Sequence, residues 1–233
     1  MKRKAITLFV LIGILLFGGA YVKRMTQQQA LYTMGTTTSV VVIDAGHGGA
    51  DPGKVGVNHA LEKEINLSIA MRLKDLLEQN DITVVMTREE DKDLASEGAT
   101  NRKNEDLKAR VQLIENTVPI AVVSIHQNSY PEEDVDGAQV FYYSGSEDGK
   151  LLGTIIQEQL KLEIEDGNHR IAKANKDYYI LKRSSSPVVI VECGFLSNYK
   201  EAELLVTEEY QEKLAFAIHL GILQYIKTKE MAN

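Results

Sequence analysis

Three apolar, β-rich runs each end in a polar residue or a glycine, and this pattern constrains the fold more than any other feature. The runs lie in VVIDAGHGG from Val41, VVSIHQNS from Val122 and VVIVECGFLSN from Val188. Continuous apolar runs are typical of strands that are buried on both faces of a parallel sheet. Between them, residues 62–79 and 208–226 carry apolar side chains at helical spacing. The sequence therefore predicts an α/β fold, a single domain whose mostly parallel, twisted sheet of about six strands has helices on both faces.

The same patterns predict the remaining elements. We expect the three runs to form strands over 40–43, 120–126 and 188–191. Further strands are expected over 82–86 and 138–143, a short strand over 178–181, and helices over 107–115 and 151–164. Residues 89–104 are charged, contain Gly98 and lack a period, so we expect a surface insertion there.

The N-terminal segment is typical of a signal peptide or an uncleaved membrane anchor. MKRK is followed by an uncharged, largely apolar run over 5–22 and then by Lys23 and Arg24. We therefore predict a signal peptide or anchor over 1–24, a polar tether over 25–39 and a folded domain over 40–233. The body is expected to be extracytoplasmic, membrane-anchored or secreted, and to contact the membrane only through its N-terminal segment.

Charge and cysteine content narrow the function classes. The chain has a net charge of −7, and residues 1–24 hold five basic residues and no acid, so the remainder carries about −12. Such a body is repelled by nucleic acid, and no nucleic-acid partner is expected. The single cysteine, Cys193, excludes an intrachain disulfide bond. We expect this thiol to be a packing residue and not a nucleophile.

Four polar side chains are expected to meet at one edge of the sheet. His47, His126 and Glu192 follow or end predicted strands, and Glu62 opens the first helix nearby. In open α/β sheets, ligands bind in the crevice beyond the carboxyl ends of the strands. Two imidazoles and a carboxylate form a zinc site that keeps one coordination position open, and a second carboxylate can then move protons. The pattern predicts a zinc hydrolase.

Other assignments of these residues stay open at this point. His59 and Glu62 have an H-x-x-E spacing, so His59, Glu62 and His126 form a rival triad. We prefer His47 because it directly follows a sheet strand, which is the more rigid support for a metal site. A carboxylate such as Glu192 can also be a structural residue that is hydrogen-bonded to backbone. Gly48–Val55 resembles a phosphate-binding loop but has Val55 where a hydroxyl is required, which argues against nucleotide binding.

Taken together, the motifs resemble the zinc-dependent N-acetylmuramoyl-L-alanine amidases of the type-3 amidase family. The resemblance runs from about Val40 to Ile226 and rests on IDAGHGG, EKEINL, MTR, LKARVQLIEN, VSIHQNS, GAQVFYY and VECGFLSN. It implies zinc ligands at His47, Glu62 and His126, and a catalytic glutamate at Glu192. The implied reaction is hydrolysis of the amide between N-acetylmuramic acid and L-alanine in peptidoglycan, which makes residues 40–233 a zinc amidase domain.

The resemblance extends to a narrower group. The acidic insertion DKDLASEGATNRKNEDL and the N-terminal apolar segment are similar to those of germination-specific members from endospore formers. This similarity implies spore cortex peptidoglycan as substrate, a role in muramic δ-lactam formation, and location in the forespore intermembrane space. The need for an accessory lipoprotein stays open, and we expect a monomer or a weak dimer.

The resemblance also concerns the residues around the site. Asp44 and Asn128 are candidates to orient ligands or substrate, although a structural role at a strand end or as a cap is the commoner explanation for such residues. Arg88 and Arg110 are expected to pair with carboxylates. Two other functions are considered: a catalytically silent wall-binding regulator and a related zinc exopeptidase. A silent regulator typically lacks a ligand or the base, and neither is missing from this sequence. An exopeptidase needs an arginine for a free terminal carboxylate, and no arginine stands out for that role.

Overall fold

A computed structural model describes residues 39–165 and 167–232 of the chain. In this part it contains six strands and six helices. The strands are β1 (Val40–Ala45), β2 (Thr83–Met86), β3 (Ala121–Asn128), β4 (Gln139–Tyr143), β5 (Lys173–Asn175) and β6 (Val188–Phe195). The helices are α1 (Glu62–Glu78), α2 (Arg102–Thr117), α3 (Glu147–Ile164), α4 (Tyr179–Arg183), α5 (Tyr199–Leu205) and α6 (Glu208–Ala232).

The six strands form one mostly parallel sheet, in the order β2-β1-β3-β6-β4-β5. Strand β1 pairs in parallel with β2 and with β3, and β3 pairs in parallel with β6. Strand β4 is antiparallel to β6 and carries β5 parallel to itself at the edge. The predicted α/β class, strand number and mostly parallel direction are confirmed.

Helices cover both faces of the sheet, as the continuous apolar strands require. The larger core lies between the sheet and helices α1, α3, α5 and α6, and it takes Val41, Ile43, Val123, Val191 and Cys193 from the strands. The smaller core lies on the other face, where Ile114 of α2 and Ile180 of α4 pack on Val42, Val122 and Ile190. Alternation along the strands thus decides which helices each side chain meets.

The two connections beside β1 lie on opposite faces of the sheet, and this arrangement creates the crevice in which the site lies. Strand β1 has β2 on one side and β3 on the other, and α1 and α2, which lead to these strands, lie on opposite faces of the sheet. A crevice opens at the carboxyl ends of two strands where the connections diverge in this way. His47 follows β1, and His126 lies near the end of β3.

Some boundaries differ from the sequence prediction. The strand predicted over 178–181 is wrong, because Tyr179–Arg183 forms the short helix α4, whose Ile180 and Leu181 are buried. Helix α2 begins at Arg102, inside the predicted insertion, where the Asn101 side chain accepts a hydrogen bond from the Asn104 backbone amide. Its first turn is exposed, so no apolar period announces it. Strand β5 and helix α5 were not predicted.

The predicted anchor and most of the predicted tether, residues 1–38, lie outside the described residues. Among the helices within 39–165 and 167–232, none has the length and apolar character needed to cross a membrane.

Candidate active site

The glycine-rich loop after β1 fixes the orientation of His47. Gly48 and Gly49 have φ of 134° and 56°, and His47 itself has φ 61°, so the loop turns back sharply. This turn brings Asp51 Oδ2 to 2.9 Å from His47 Nδ1. Arg110 also donates to the His47 carbonyl oxygen at 2.7 Å. Because Nδ1 is held by a carboxylate, Nε2 is the nitrogen that can bind a ligand.

Glu62 is held by two backbone amides that come from separate parts of the chain. It is the first residue of α1 and is only 3% exposed. Its Oε2 accepts a hydrogen bond from the Lys54 amide at 2.7 Å, and its Oε1 accepts one from the Gln127 amide at 3.1 Å. Burial alone raises the pKa of Glu62, but its contacts with His126 and His47 outweigh burial and hold that pKa well below its usual range.

His126 enters the crevice from β3, where its ring packs against the backbone at Gly46. A Cβ at Gly46 would collide with this ring, so only glycine fits at that position. The Nδ1 atom of His126 lies 3.0 Å from Glu62 Oε1. Burial lowers the pKa of His126, but the contact with Glu62 and the charges of Glu62 and Glu192 raise it overall.

His47, Glu62 and His126 converge as a set of metal ligands would. His47 Nε2 lies 3.2 Å from Glu62 Oε1, and one candidate ligand atom from each of the three residues lies within 4.8 Å of the others. Zinc bonds of about 2.0–2.2 Å in a tetrahedron place neighbouring ligand atoms about 3.3–3.6 Å apart. The two imidazoles and the carboxylate therefore fit a divalent cation of this kind. We refer to these three residues as the ligand trio.

The rival residue His59 is not part of this group. Within residues 39–165 and 167–232, the ligand trio is the one set of three or more histidine, cysteine or acidic side chains close enough to share an ion. His59 is exposed and has φ 67° in the turn before α1. The H-x-x-E spacing thus does not form a helical turn here, because α1 starts only at Glu62.

Glu192 lies beside the ligand trio on the neighbouring strand. Its Cα pairs with that of His126 in the β3–β6 register. The residue is 8% exposed, and its Oε2 is buried without a hydrogen-bond partner among the described residues. Burial raises the pKa of Glu192 to about 7, and the charge of Glu62 adds to this effect while His126 and His47 oppose it. A carboxyl group with such a pKa can both accept and return a proton near neutral pH.

A buried ion-pair network around Asp44 and Arg110 packs against the glycine-rich loop after β1. Arg110 donates to Asp44 at 2.6 Å and to Asp106 at 2.8 Å, which confirms that this arginine pairs with carboxylates. Thr87 and Ser124 also donate to Asp44, at 2.8 and 2.6 Å. Burial alone raises the pKa of Asp44, but Arg110 and Ser124 lower it to about 2.

Three neighbouring residues differ from expectation or were not predicted. Arg88 donates to the backbone carbonyls of Ala45, Gly46, Lys63 and Glu90, so the expectation that it pairs with a carboxylate is wrong. The Asn128 side chain accepts from the Ser129 amide and shapes the strand end. Sequence reasoning missed Asp51, although an acid four residues after His47 in a glycine loop was a usable signal.

Comparison with known proteins assigns the chain to a family. A family model described as N-acetylmuramoyl-L-alanine amidase matches residues 41–224. The germination-specific N-acetylmuramoyl-L-alanine amidase of Bacillus subtilis is 37% identical, with 98% of each chain covered. The structure of the CwlD amidase from Clostridioides difficile in complex with the GerS lipoprotein has a TM-score of 0.79 and 42% identity, covering 82% of this chain and 99% of that one.

A more distant relative has the same fold. The amidase AmiC2 of Nostoc punctiforme is 33% identical with a TM-score of 0.73, over 83% of this chain and 99% of that chain. The family match covers β1 from its second residue, the other five strands and most of α6, and thus includes every residue of the crevice described above. The chain belongs to the N-acetylmuramoyl-L-alanine amidase family and is a peptidoglycan amidase.

Proposed function

We propose that the protein is a zinc-dependent amidase whose ligand trio holds the metal and whose Glu192 is the catalytic residue. Its substrate bond is the amide between N-acetylmuramic acid and L-alanine. The observation that carries the proposal is the convergence of His47 Nε2 and His126 Nδ1 on Glu62 Oε1, at 3.2 and 3.0 Å. Zinc, when bound, supplies a Lewis acid that polarises the amide carbonyl.

The surrounding residues prepare the ligand trio for this cation. Asp51 fixes the tautomer of His47, because a carboxylate on Nδ1 keeps the proton there and leaves the Nε2 lone pair free. The Lys54 and Gln127 amides hold Glu62 in its ionised form. The chain therefore presents a free Nε2 lone pair on His47 and an ionised carboxylate on Glu62, both of which metal binding requires.

Glu192 acts first as the general base and then as the general acid of the reaction. As the oxygen of a water molecule bonds to the carbonyl carbon, Glu192 accepts a proton from that water. It then delivers this proton to the nitrogen of L-alanine as the carbon–nitrogen bond breaks, and the amine leaves neutral. The free Oε2 atom and the pKa of about 7 support this role, since one group must first accept and then donate.

Metal analysis tests the choice of ligands. We expect His47→Ala to lose bound zinc and activity, while the matched variant His59→Ala keeps both. Mass spectrometry under native conditions measures the zinc content of each folded protein. A full complement of zinc in the His47→Ala variant would overturn the ligand assignment.

A second variant tests Glu192 separately from the metal. Glu192→Gln should keep its zinc and lose at least about a hundredfold in kcat, since general acid–base catalysis contributes roughly that much or more. The exposed Glu209→Gln variant is the control. Release of L-alanine amino termini from peptidoglycan measures the activity, and near-normal turnover in Glu192→Gln would exclude the mechanism.

We further propose that the substrate is spore cortex peptidoglycan in the germination pathway of muramic δ-lactam formation. The similarity to the germination-specific amidase of Bacillus subtilis over 98% of the chain supports this substrate. In this proposal, residues 1–24 are a signal peptide or anchor, 25–39 a tether and 40–233 the catalytic domain, placed outside the cytoplasmic membrane. Mass spectrometry of cortex digests from a strain lacking the protein should show no muramic δ-lactam. Unchanged lactam content would contradict the cortex role.

An accessory lipoprotein is a proposed partner of this protein. The support is the relative from Clostridioides difficile, whose structure contains the GerS lipoprotein. In the absence of this partner, we propose that the protein is a monomer or a weak dimer. Analytical ultracentrifugation of the purified protein measures this oligomeric state. The presence of the whole ligand trio and of Glu192 speaks against a catalytically silent regulator.

A further inference from the structure

A groove beside the ligand trio carries an exposed lysine, Lys103, whose ion pair with Asp51 is long at 3.5 Å. The groove runs along the face covered by α2 and α4, and its lining includes His47, His126, Arg110, Ile180 and Lys103. Next to it lies a cavity of about 240 Å³ between the glycine loop and the start of α2. Lys103, Asp51 and Asp106 line both spaces. Lys103 therefore lies where the groove meets the cavity.

The other charged groups around these two spaces already have close partners. Arg110 is bound to Asp44 and Asp106. Arg102 binds both carboxylate oxygens of Asp93, at 2.6 and 3.2 Å.

Lys103 differs from these groups in its contacts. Its side chain is 68% exposed, and its Nζ lies 3.5 Å from Asp51 Oδ2, which is longer than a good hydrogen bond. Asp51 is instead bound by His47 at 2.9 Å and by the Gly53 amide at 3.1 Å. Because Lys103 makes only this long ion pair and is exposed, its ammonium group can also bind an anion that enters the groove.

The position of Lys103 on its helix strengthens this attraction. It is in the first turn of α2, a helix of 16 residues, where the helix dipole favours negative charge. The chain beyond residue 24 has a net charge of about −12, so an acidic substrate needs a local cation at its binding site. In peptidoglycan, the stem peptide that an amidase releases bears carboxylates. The N-acetylated sugar next to the cleaved amide bond carries no charge.

We infer that Lys103 is a specificity-determining residue that binds a carboxylate of the stem peptide. This inference rests on the amidase function. The lysine makes the enzyme prefer peptides with free carboxylates over amidated ones. It acts on substrate binding and not on the bond-breaking step.

Two muramoyl peptides of the same sequence test the inference, one with free carboxylates and one with every carboxylate converted to carboxamide. Lys103→Met keeps the length of the side chain and removes its charge. We expect about a fivefold loss in kcat/KM for the acidic peptide, all of it in KM, and less than a twofold change for the amidated peptide. Lys103→Arg should retain most of the preference. Lys213→Met, an exposed change on α6, is the control.

The outcomes separate this inference from the function on which it rests. An equal loss for both peptides, or a loss in kcat with KM unchanged, would mean that Lys103 acts through Asp51 on His47, and the inference would be wrong. If the wild-type enzyme cleaves neither peptide, the amidase function itself fails, and the inference fails with it. Because Lys103 is exposed, we expect an unchanged melting temperature for Lys103→Met.

Discussion

Asp44→Asn should destabilise the protein in a way that depends on pH. The carboxylate is 2% exposed and accepts hydrogen bonds from Arg110, Thr87 and Ser124. An asparagine has the same shape, but it removes the charge that pairs with buried Arg110 and turns one of the two acceptors into a donor. Breaking a buried ion pair by removing one partner costs about 3 kcal/mol or more.

Part of this cost can be worked out from proton binding. Folding lowers the pKa of Asp44 from 3.8 to about 2, which corresponds to about 2.5 kcal/mol of stability. Because the folded pKa is the lower one, this stability is fully present above about pH 5 and is lost as the pH falls through about 2. The difference between wild type and Asp44→Asn should therefore be about 3 kcal/mol at pH 7 and shrink steeply below pH 4.

Urea denaturation from pH 7 to pH 2.5 measures the free energy of unfolding of both proteins. A chelator in every sample prevents metal binding from contributing. The control is Asp148→Asn, whose carboxylate is 48% exposed and pairs with Lys229 at 2.9 Å, so we expect a loss below about 1 kcal/mol. A difference for Asp44→Asn that stays constant over this pH range, or is below 1 kcal/mol at pH 7, would refute the reasoning.

Two further predictions concern the metal loop. Asp51→Asn should weaken zinc affinity about ten- to a hundredfold, because a neutral amide holds His47 less firmly than a carboxylate does. Competition with a chelator measures the zinc affinity of this variant and of the control Asp134→Asn, whose side chain is exposed. Equal affinities in the two variants would contradict the prediction. Gly53→Ala should lower both zinc affinity and stability, since a Cβ at φ 68° would press on Glu62 and His47. The control Gly98→Ala has φ 83° but open space around its Cβ, so only the backbone strain of about 1 kcal/mol should remain, and identical zinc affinity in both variants would argue against the collision.

The sequence predicts those elements whose buried positions carry a recognisable pattern of apolar residues. Strands β1, β3 and β6 are buried on both faces, so their apolar runs appear directly in the sequence. The sequence predicts a strand where helix α4 forms, because a short run with two buried residues, Ile180 and Leu181, has no period that distinguishes the two structures. The exposed first turn of α2 gave no apolar signal either.

The residues of the ligand trio could be predicted from the sequence, but the contacts that hold them in place could not. His47, Glu62 and His126 stand near the ends or starts of elements, so topology alone brings them to one edge. The contact between Asp51 and His47 depends on the positive φ angles of the loop, and the four carbonyls around Arg88 depend on how the loop folds over it. Such contacts arise from loop conformation, which no periodic pattern encodes.

The burial of Cys193 gives the protein a built-in reporter of its own integrity. It is the only cysteine of the chain and is 0% exposed within the larger core, directly after Glu192. Thiol reagents can therefore modify it only when β6 separates from its neighbours, and the rate of modification in native buffer follows the opening of the central sheet. Labelling kinetics at this native thiol can thus distinguish a variant that has lost activity from one that has lost its folded structure, without the introduction of another cysteine.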